Sequence, residues 1–191
     1  MKHNCLLLII FTVVVDNFIV DNYLPSIIEI TQYFGTHIEY VQTTVSIEFI
    51  GFAIGAFLSG IYYIDFGYRR TYFSGLFILF CGSILCSLGL HLFLMYLGRI
   101  IEGFGAGCTF SLAFVLLTTS FQGRSLIKAL SIIGLVVAIM PSISPFTGAL
   151  IQEHYSWQIN FTIQSILILI NLAIAIPVLF KLHYGPVENR P

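Results

Sequence analysis

Six apolar runs long enough to cross a bilayer, a charged fraction of only 9%, and a one-sided distribution of Lys and Arg predict an all-α membrane protein. The expected architecture is a bundle of six transmembrane helices with both termini cytoplasmic. A water-facing domain usually carries about a quarter charged residues. Here 58% of the 191 residues are apolar, 15% are aromatic, and the mean hydropathy is +0.95, so lipid is the expected solvent. The net charge of −1 gives no reason to expect a nucleic-acid partner.

A spanning helix needs about 20 mostly apolar residues. Runs of that length occupy roughly residues 5–27, 41–64, 71–90, 92–119, 127–151 and 158–181, and none shows the strict alternation of a barrel strand. The first run follows Lys2 and has the look of a signal sequence. No small-x-small cleavage site follows it, and the segment continues through Asp16 to Tyr23 and Pro25, so it reads as a retained helix. Tyr33-Phe34-Gly35-Thr36-His37 separates the first and second spans, and Asp65-Phe66-Gly67-Tyr68-Arg69-Arg70 the second and third. Leu90-His91 parts the third from the fourth, residues 120–125 the fourth from the fifth, and Glu153-His154-Tyr155-Ser156 the fifth from the sixth. Residues 184–191 form an expected cytoplasmic tail. Cys5, Cys81, Cys86 and Cys108 all fall in apolar runs without metal-ligand spacing and read as small core residues. No metal or cofactor is expected.

Basic residues test the span count. Lys2, Arg69, Arg70, Arg124, Lys128, Lys181 and Arg190 fall on one side, none of the eight Lys and Arg falls on the other, and Arg99 lies inside the fourth span. Short loops rich in Lys and Arg stay cytoplasmic, which assigns that side.

Ionisable residues within spans are costly and face a bundle interior or a water-filled cavity. Five stand out: Asp16 and Asp21 in the first span, Glu48 in the second, Arg99 and Glu102 in the fourth. By position along their helices all five occupy the outer half to the middle of the bilayer. Glu48, Gly51 and Gly55 share one helical stripe, as do Arg99, Gly103, Gly107 and Ser111. Gly51-x3-Gly55 and Gly103-x3-Gly107 are small-residue stripes that let backbones approach, so the charges are expected on packing faces. One arginine cannot neutralise four carboxylates, which implies an acid that takes up and releases a proton. The alternative is a purely structural cluster, in which Arg99 pairs with Glu102 or Asp21 to fix the bundle.

In the same order, several motifs resemble those of the major facilitator superfamily, specifically drug:proton antiporters of the bicyclomycin/chloramphenicol-resistance type. Asp21-Asn22-Tyr23-Leu24-Pro25 is similar to the D-x-Y-L-P signature of helix one, and Val41-Gln42-Thr43-Thr44 to the V-Q-x-T opening of helix two. Asp65, Gly67, Arg69 and Arg70 resemble the D-R-x-G-R-R loop that gates the cytoplasmic side, with Phe66 replacing a basic residue and Gly67 displaced by one. Arg99 to Ala106 resembles R-x-x-Q-G-x-G-A of helix four, with Glu102 where Gln is usual. Pro141-x3-Pro145-Phe-Thr-Gly148 is similar to the antiporter motif of helix five, and Trp157 to Phe161 matches W-R-x-x-F at the start of helix six.

The resemblance implies a fold of two six-helix halves, each built from 3+3 inverted repeats, with substrate bound between the halves. This chain corresponds to the N-terminal half, with the second half absent. The implied function is proton-coupled efflux of a small amphipathic or drug-like molecule from a bacterial cytoplasm through the inner membrane. Asp21 would be the titrating acid, Arg99 its partner, and Glu102, Glu48 and Asp16 further candidates. Asn17, Tyr23, Asn160 and Gln164 are candidates for lining a substrate cavity. The expected partners are the lipid bilayer, protons, a small-molecule substrate, and a second six-helix half or a second copy. A non-transporting remnant or half-subunit is the alternative. A membrane enzyme is disfavoured, since no nucleophile–base pair, metal cluster or phosphate loop is recognisable.

Overall fold

The computed structural model describes residues 2–181, so the expected tail at 184–191, with Arg190, lies outside the described residues. Among the described residues the chain is all helical: α1 (Lys2–Asp21), α2 (Ile27–Phe34), α3 (Ile38–Phe66), α4 (Tyr68–Leu88), α5 (Leu92–Ser120), α6 (Gly123–His154) and α7 (Gln158–Lys181). Six segments are long and apolar enough to span a bilayer, with α1 and α2 counted together as His3–Phe34.

The first span is broken near its far end. Pro25 has no amide hydrogen to donate, and the chain passes through a 3-10 turn over Leu24–Ser26, where the Ser26 amide donates to the Tyr23 carbonyl at 2.9 Å. Helix then resumes as α2 and runs to Phe34, past the expected edge at residue 27. The amphipathic Ile27–Phe34 stretch buries Ile30 against the bundle, which hydropathy alone understates. Gly35, at φ 58°, closes α2 in the left-handed conformation, with the amides of Gly35 and Thr36 returned to the Gln32 and Thr31 carbonyls. Gly67 alone links α3 to α4.

Helix α5 is the centre of the bundle and the most buried span. It crosses α3 at very close range. A Cβ on Gly51 would overlap the Ile100 carbonyl oxygen, and one on Gly103 would overlap that of Glu48; Gly55 and Gly107 repeat the arrangement against Phe104 and Phe52. On its other side α5 packs on α4, with Leu79 against Gly105. Helix α1 packs on α5, α6 and α7. Helix α6 is the least covered span and leans chiefly on α1 through Ala129, Ile133, Met140, Ser144 and Gly148. Cys5, Cys86 and Cys108 are buried and Cys81 is half-buried, all as free thiols.

Candidate functional site

Arg99 lies about two turns into α5, with no solvent exposure. Its Nη2 forms an ion pair with Oε2 of Glu48 on α3, and its Nη1 lies 2.6 Å from Oε2 of Glu102, one turn further along α5. The guanidinium lies over the Tyr23 ring, 4.2 Å from its centroid, and 5.6 Å from that of Phe161. Tyr23 is held in turn by Thr44, hydroxyl to hydroxyl at 2.9 Å. The break after α1, with α3, α5 and α7, thus converges on one buried charge. Arg99 is enclosed, since Glu48, Glu102, Tyr23 and Phe161 are themselves fully buried. Arg99 Nε and Glu48 Oε1 are buried without a hydrogen-bond partner.

Asp21 does not join that group as an ion pair. It is the last residue of α1, half-buried, and among the described residues Arg99 pairs with Glu48 and Glu102 instead. The guanidinium is taken up beneath the Tyr23 ring, while Asp21 turns toward a cleft, although the charge of Arg99 still reaches it. Asp16, deeper in α1, is fully buried and accepts a hydrogen bond from the Thr109 hydroxyl, at 3.0 and 3.1 Å to its two oxygens.

The cleft has a volume of about 390 Å³. Asp16, Asn17, Val20 and Asp21 form its α1 wall, Phe49 and Phe52 come from α3, Phe110 from α5, and Pro141 from α6. Of the four residues expected along a cavity wall, Asn17 is in this lining. Tyr23, Asn160 and Gln164 are not in it: each is fully buried between helices, where at least one of its polar atoms is hydrogen-bonded. Tyr23 binds Thr44. Asn160 Nδ2 donates to the Ser26 hydroxyl (3.1 Å), which donates to Gln152 Oε1 (3.2 Å), and Gln164 Nε2 donates to the Ile19 carbonyl (3.2 Å). These bonds tie α7 and α6 to the first span.

In the motif helix, Pro141 faces the cleft and Pro145 is half-buried within α6. Gly148 meets the Asn22 backbone, where a Cβ would overlap the carbonyl oxygen. At the basic end of the bundle, Asp65, Gly67, Arg69 and Arg70 line a second cavity of about 470 Å³ together with Phe180. Arg69 lies over the Phe180 ring at 3.8 Å, linking the α3–α4 corner to the end of α7. Asp65 is exposed and makes no ion pair among the described residues.

Two features had escaped the sequence reading. Thr109 is the partner of Asp16. A polar network, Thr12 to Tyr72 at 2.6 Å and Tyr72 to Asn171 Oδ1 at 3.3 Å, joins α1, α4 and α7 below it. The available signal was the i, i+4 spacing of Thr12 and Asp16 on one face of α1.

A family model for the Major Facilitator Superfamily matches residues 6–191. The chain is 28% identical over 142 residues to "Multidrug resistance protein MdtL" of Citrobacter koseri, an alignment covering 74% of this chain and 36% of that protein. It is 26% identical over 174 residues to "Uncharacterized MFS-type transporter YdgK" of Bacillus subtilis, covering 90% of this chain and 42% of the relative. The MdtL protein of Escherichia coli O81 is 33% identical over 109 residues, 57% of this chain and 26% of that one. The chain therefore spans less than half the length of these relatives.

Proposed function

This chain belongs to the major facilitator superfamily, and from that premise we propose that it is the N-terminal half of a proton-coupled exporter of small amphipathic molecules, of the bicyclomycin/chloramphenicol-resistance type. It is a multi-pass protein of the bacterial inner membrane. The observation that carries the proposal is the buried ionisable system: Arg99 between Glu48 and Glu102, next to a cleft whose wall holds Asp16 and Asp21. One guanidinium against four carboxylates leaves excess negative charge within the hydrocarbon region, where charge is expensive. Protons on the acids restore neutrality. A carrier that takes protons up on one side and gives them up on the other couples that neutralisation to movement of its substrate.

In this reading Asp21 is the acid that exchanges with the cleft, and Arg99 acts on it through its charge while anchored by Glu48 and Glu102. The basic end, with Arg69, Arg70, Arg124 and Lys128, faces the cytoplasm. Asp65, Gly67, Arg69 and Arg70 form the gate there, and Phe180 is the ring on which Arg69 rests when the corner is closed. Pro141, Pro145 and Gly148 shape α6 so that it lies along α1 and borders the cleft.

The test is pH-driven substrate movement in liposomes containing the purified chain, compared with Asp21→Asn. Flux that collapses in the variant supports the proposal. Flux of equal size in both removes Asp21 from the coupling, and no flux in either supports the second reading. That reading is a half-subunit or remnant that does not transport alone. The observation favouring it is the sparse cover of α6, which leaves Leu135, Ile139, Ile143 and Phe146 exposed and suits docking of a second six-helix half or a second copy.

A further inference from the structure

Helices α3 and α4 each pack on α5 and touch one another little, which leaves a gap between them. Two cavities in that gap differ sharply in chemistry. At the basic end of the bundle Tyr62 and Phe66 of α3, with Arg70, Thr71 and Ser74 of α4, line a space of about 270 Å³. Deeper in the span Gly51 and Ile54 of α3 and Ile78 of α4 line a groove of about 300 Å³, floored by Ile100, Ile101 and Phe104 of α5.

The free donors of the first cavity are concentrated on one side chain. Thr71 and Ser74 donate their hydroxyl hydrogens to the carbonyls of Gly67 and Thr71, at 3.0 and 2.9 Å. Arg70 carries five N–H donors and is exposed, and among the described residues no carboxylate pairs with it. Asp65 lines the neighbouring cavity at the α3–α4 corner and is not in this one. The exposed rings of Tyr62 and Phe66 stack on one another, their centroids 5.9 Å apart. Aromatic rings at the end of a span settle at the level of lipid headgroups. A guanidinium at that level matches a pair of phosphate oxygens.

The second cavity is lined by four isoleucines, a phenylalanine and a glycine, with no polar side chain. From Arg70 to Ile78 is about 12 Å along the axis of α4. One leaflet of hydrocarbon is about 15 Å deep, so a fatty chain fastened at Arg70 reaches the groove within its own leaflet. A soluble anion matches the first cavity alone, and a neutral hydrocarbon the second alone. A single amphiphile with an anionic head and a fatty tail matches both, in the order that the bilayer imposes. Basic pockets between spanning helices are suited to such headgroups.

We infer that the α3–α4 gap is a binding site for an anionic phospholipid. Its phosphodiester lies against Arg70, Tyr62 and Phe66, and one of its acyl chains enters the groove at Ile54 and Ile78. The site shares no residue with the cleft that holds Asp16 and Asp21, and the inference does not depend on transport. Bound there, the lipid joins α3 to α4 beyond their one-residue link at Gly67, where the helices themselves make little contact.

The test is native mass spectrometry of the delipidated full chain, titrated in detergent with dioleoyl phosphatidylglycerol or dioleoyl phosphatidylcholine. The affinity of the first lipid bound is read. The wild-type chain should bind phosphatidylglycerol at least about fivefold more tightly, the factor expected of one basic side chain beside an anionic headgroup. Arg70→Gln should bring phosphatidylglycerol down to the level of phosphatidylcholine. Arg124→Gln, at the same end but outside both cavities, should leave the difference intact. Ile78→Trp, which fills the groove, should weaken both lipids by a similar factor. Free glycerol 1-phosphate should not displace the lipid. Equal affinities for the two lipids in the wild-type chain, or Arg70→Gln behaving like Arg124→Gln, overturn the inference. So do unchanged affinities in Ile78→Trp, and displacement by glycerol 1-phosphate, which would make the site one for a soluble phosphate. The wild-type comparison decides the matter even where Ile78→Trp prevents folding.

Discussion

The main-chain carbonyl oxygen of Glu48 rests against the α-carbon of Gly103, at the place where any other residue would carry a Cβ. Four residues earlier on α5, Arg99 holds the Glu48 side chain. One residue of α3 thus meets α5 through both its backbone and its carboxylate, and the glycine contact sets the distance over which the ion pair forms. Gly103→Ala should lower the unfolding temperature in detergent, with a cost of about 1–3 kcal/mol from overpacking. Gly60→Ala, where the new methyl meets nothing within 4 Å, should be neutral or stabilising by up to about 1 kcal/mol. Scanning fluorimetry compares the two, and equal shifts would remove the close crossing from the account.

Arg99→Ala leaves Glu48 and Glu102 buried without their counter-ion, and removing one partner from a buried pair typically costs about 3–5 kcal/mol. Arg99→Lys should fall between wild type and Ala, because a single ammonium does not bridge two carboxylates as a planar fork does. Adding Glu48→Gln and Glu102→Gln to Arg99→Ala should recover part of the loss by removing the stranded charges. Unfolding equilibria in mixed micelles measure this series. A triple variant no more stable than Arg99→Ala would mean that packing, rather than charge, holds the crossing.

Asn160→Ala and Gln164→Ala each remove one partner from a buried hydrogen bond and should cost about 1–3 kcal/mol of stability. Both should leave the preference between charged and neutral ligands where it is in the wild-type chain. A change in that preference, read by equilibrium binding to the chain in nanodiscs, would place them on the cavity wall.

These two residues also mark where sequence reading runs out. Helix number was legible because span length and the one-sided basic residues are properties of each segment taken alone. The α3–α5 seam was legible because Gly51, Gly55, Gly103 and Gly107 lie on stripes fixed by helical periodicity. The depth of Arg99 could be counted, and so could that of Asp21. The Arg99–Glu102 pair follows from i, i+3 spacing on one helix, but whether Arg99 also takes Asp21 or Glu48 depends on the rotation of α1 and α3 about their axes, and linear position does not contain that. Asn160, Gln164 and Tyr23 are polar residues in apolar spans, a pattern shared by cavity walls and by inter-helix bonds. Their partners, Ser26, the Ile19 carbonyl and Thr44, all lie on other helices. The resumption of helix after Pro25 was hidden for a different reason, since Ile27–Phe34 mixes Glu29, Thr31 and Gln32 with its apolar residues.

Sidedness is open to a chemical check. In a background lacking the four native cysteines, Ser125→Cys in the first turn of α6 should react with a membrane-impermeant maleimide only after the cytoplasmic face is exposed. Ser156→Cys, at the opposite end between α6 and α7, should react in intact cells. The reverse pattern would invert the assignment of the basic end while leaving the bundle unchanged.

The seating of Gly148 on Asn22 bears on how the chain assembles. Helices that enter a bilayer one after another then associate by close packing. The first span must wait for the fifth before this contact closes, so the α1–α6 pairing is among the last available to the growing chain. Because α6 leans on little else, it should also be the first element to come away. Hydrogen exchange of α6 amides in nanodiscs should be faster than that of α5, and Gly148→Val should accelerate it further without loosening the α3–α5 seam. A helix held chiefly along one late-formed face is where cellular proteolysis of misassembled copies would begin.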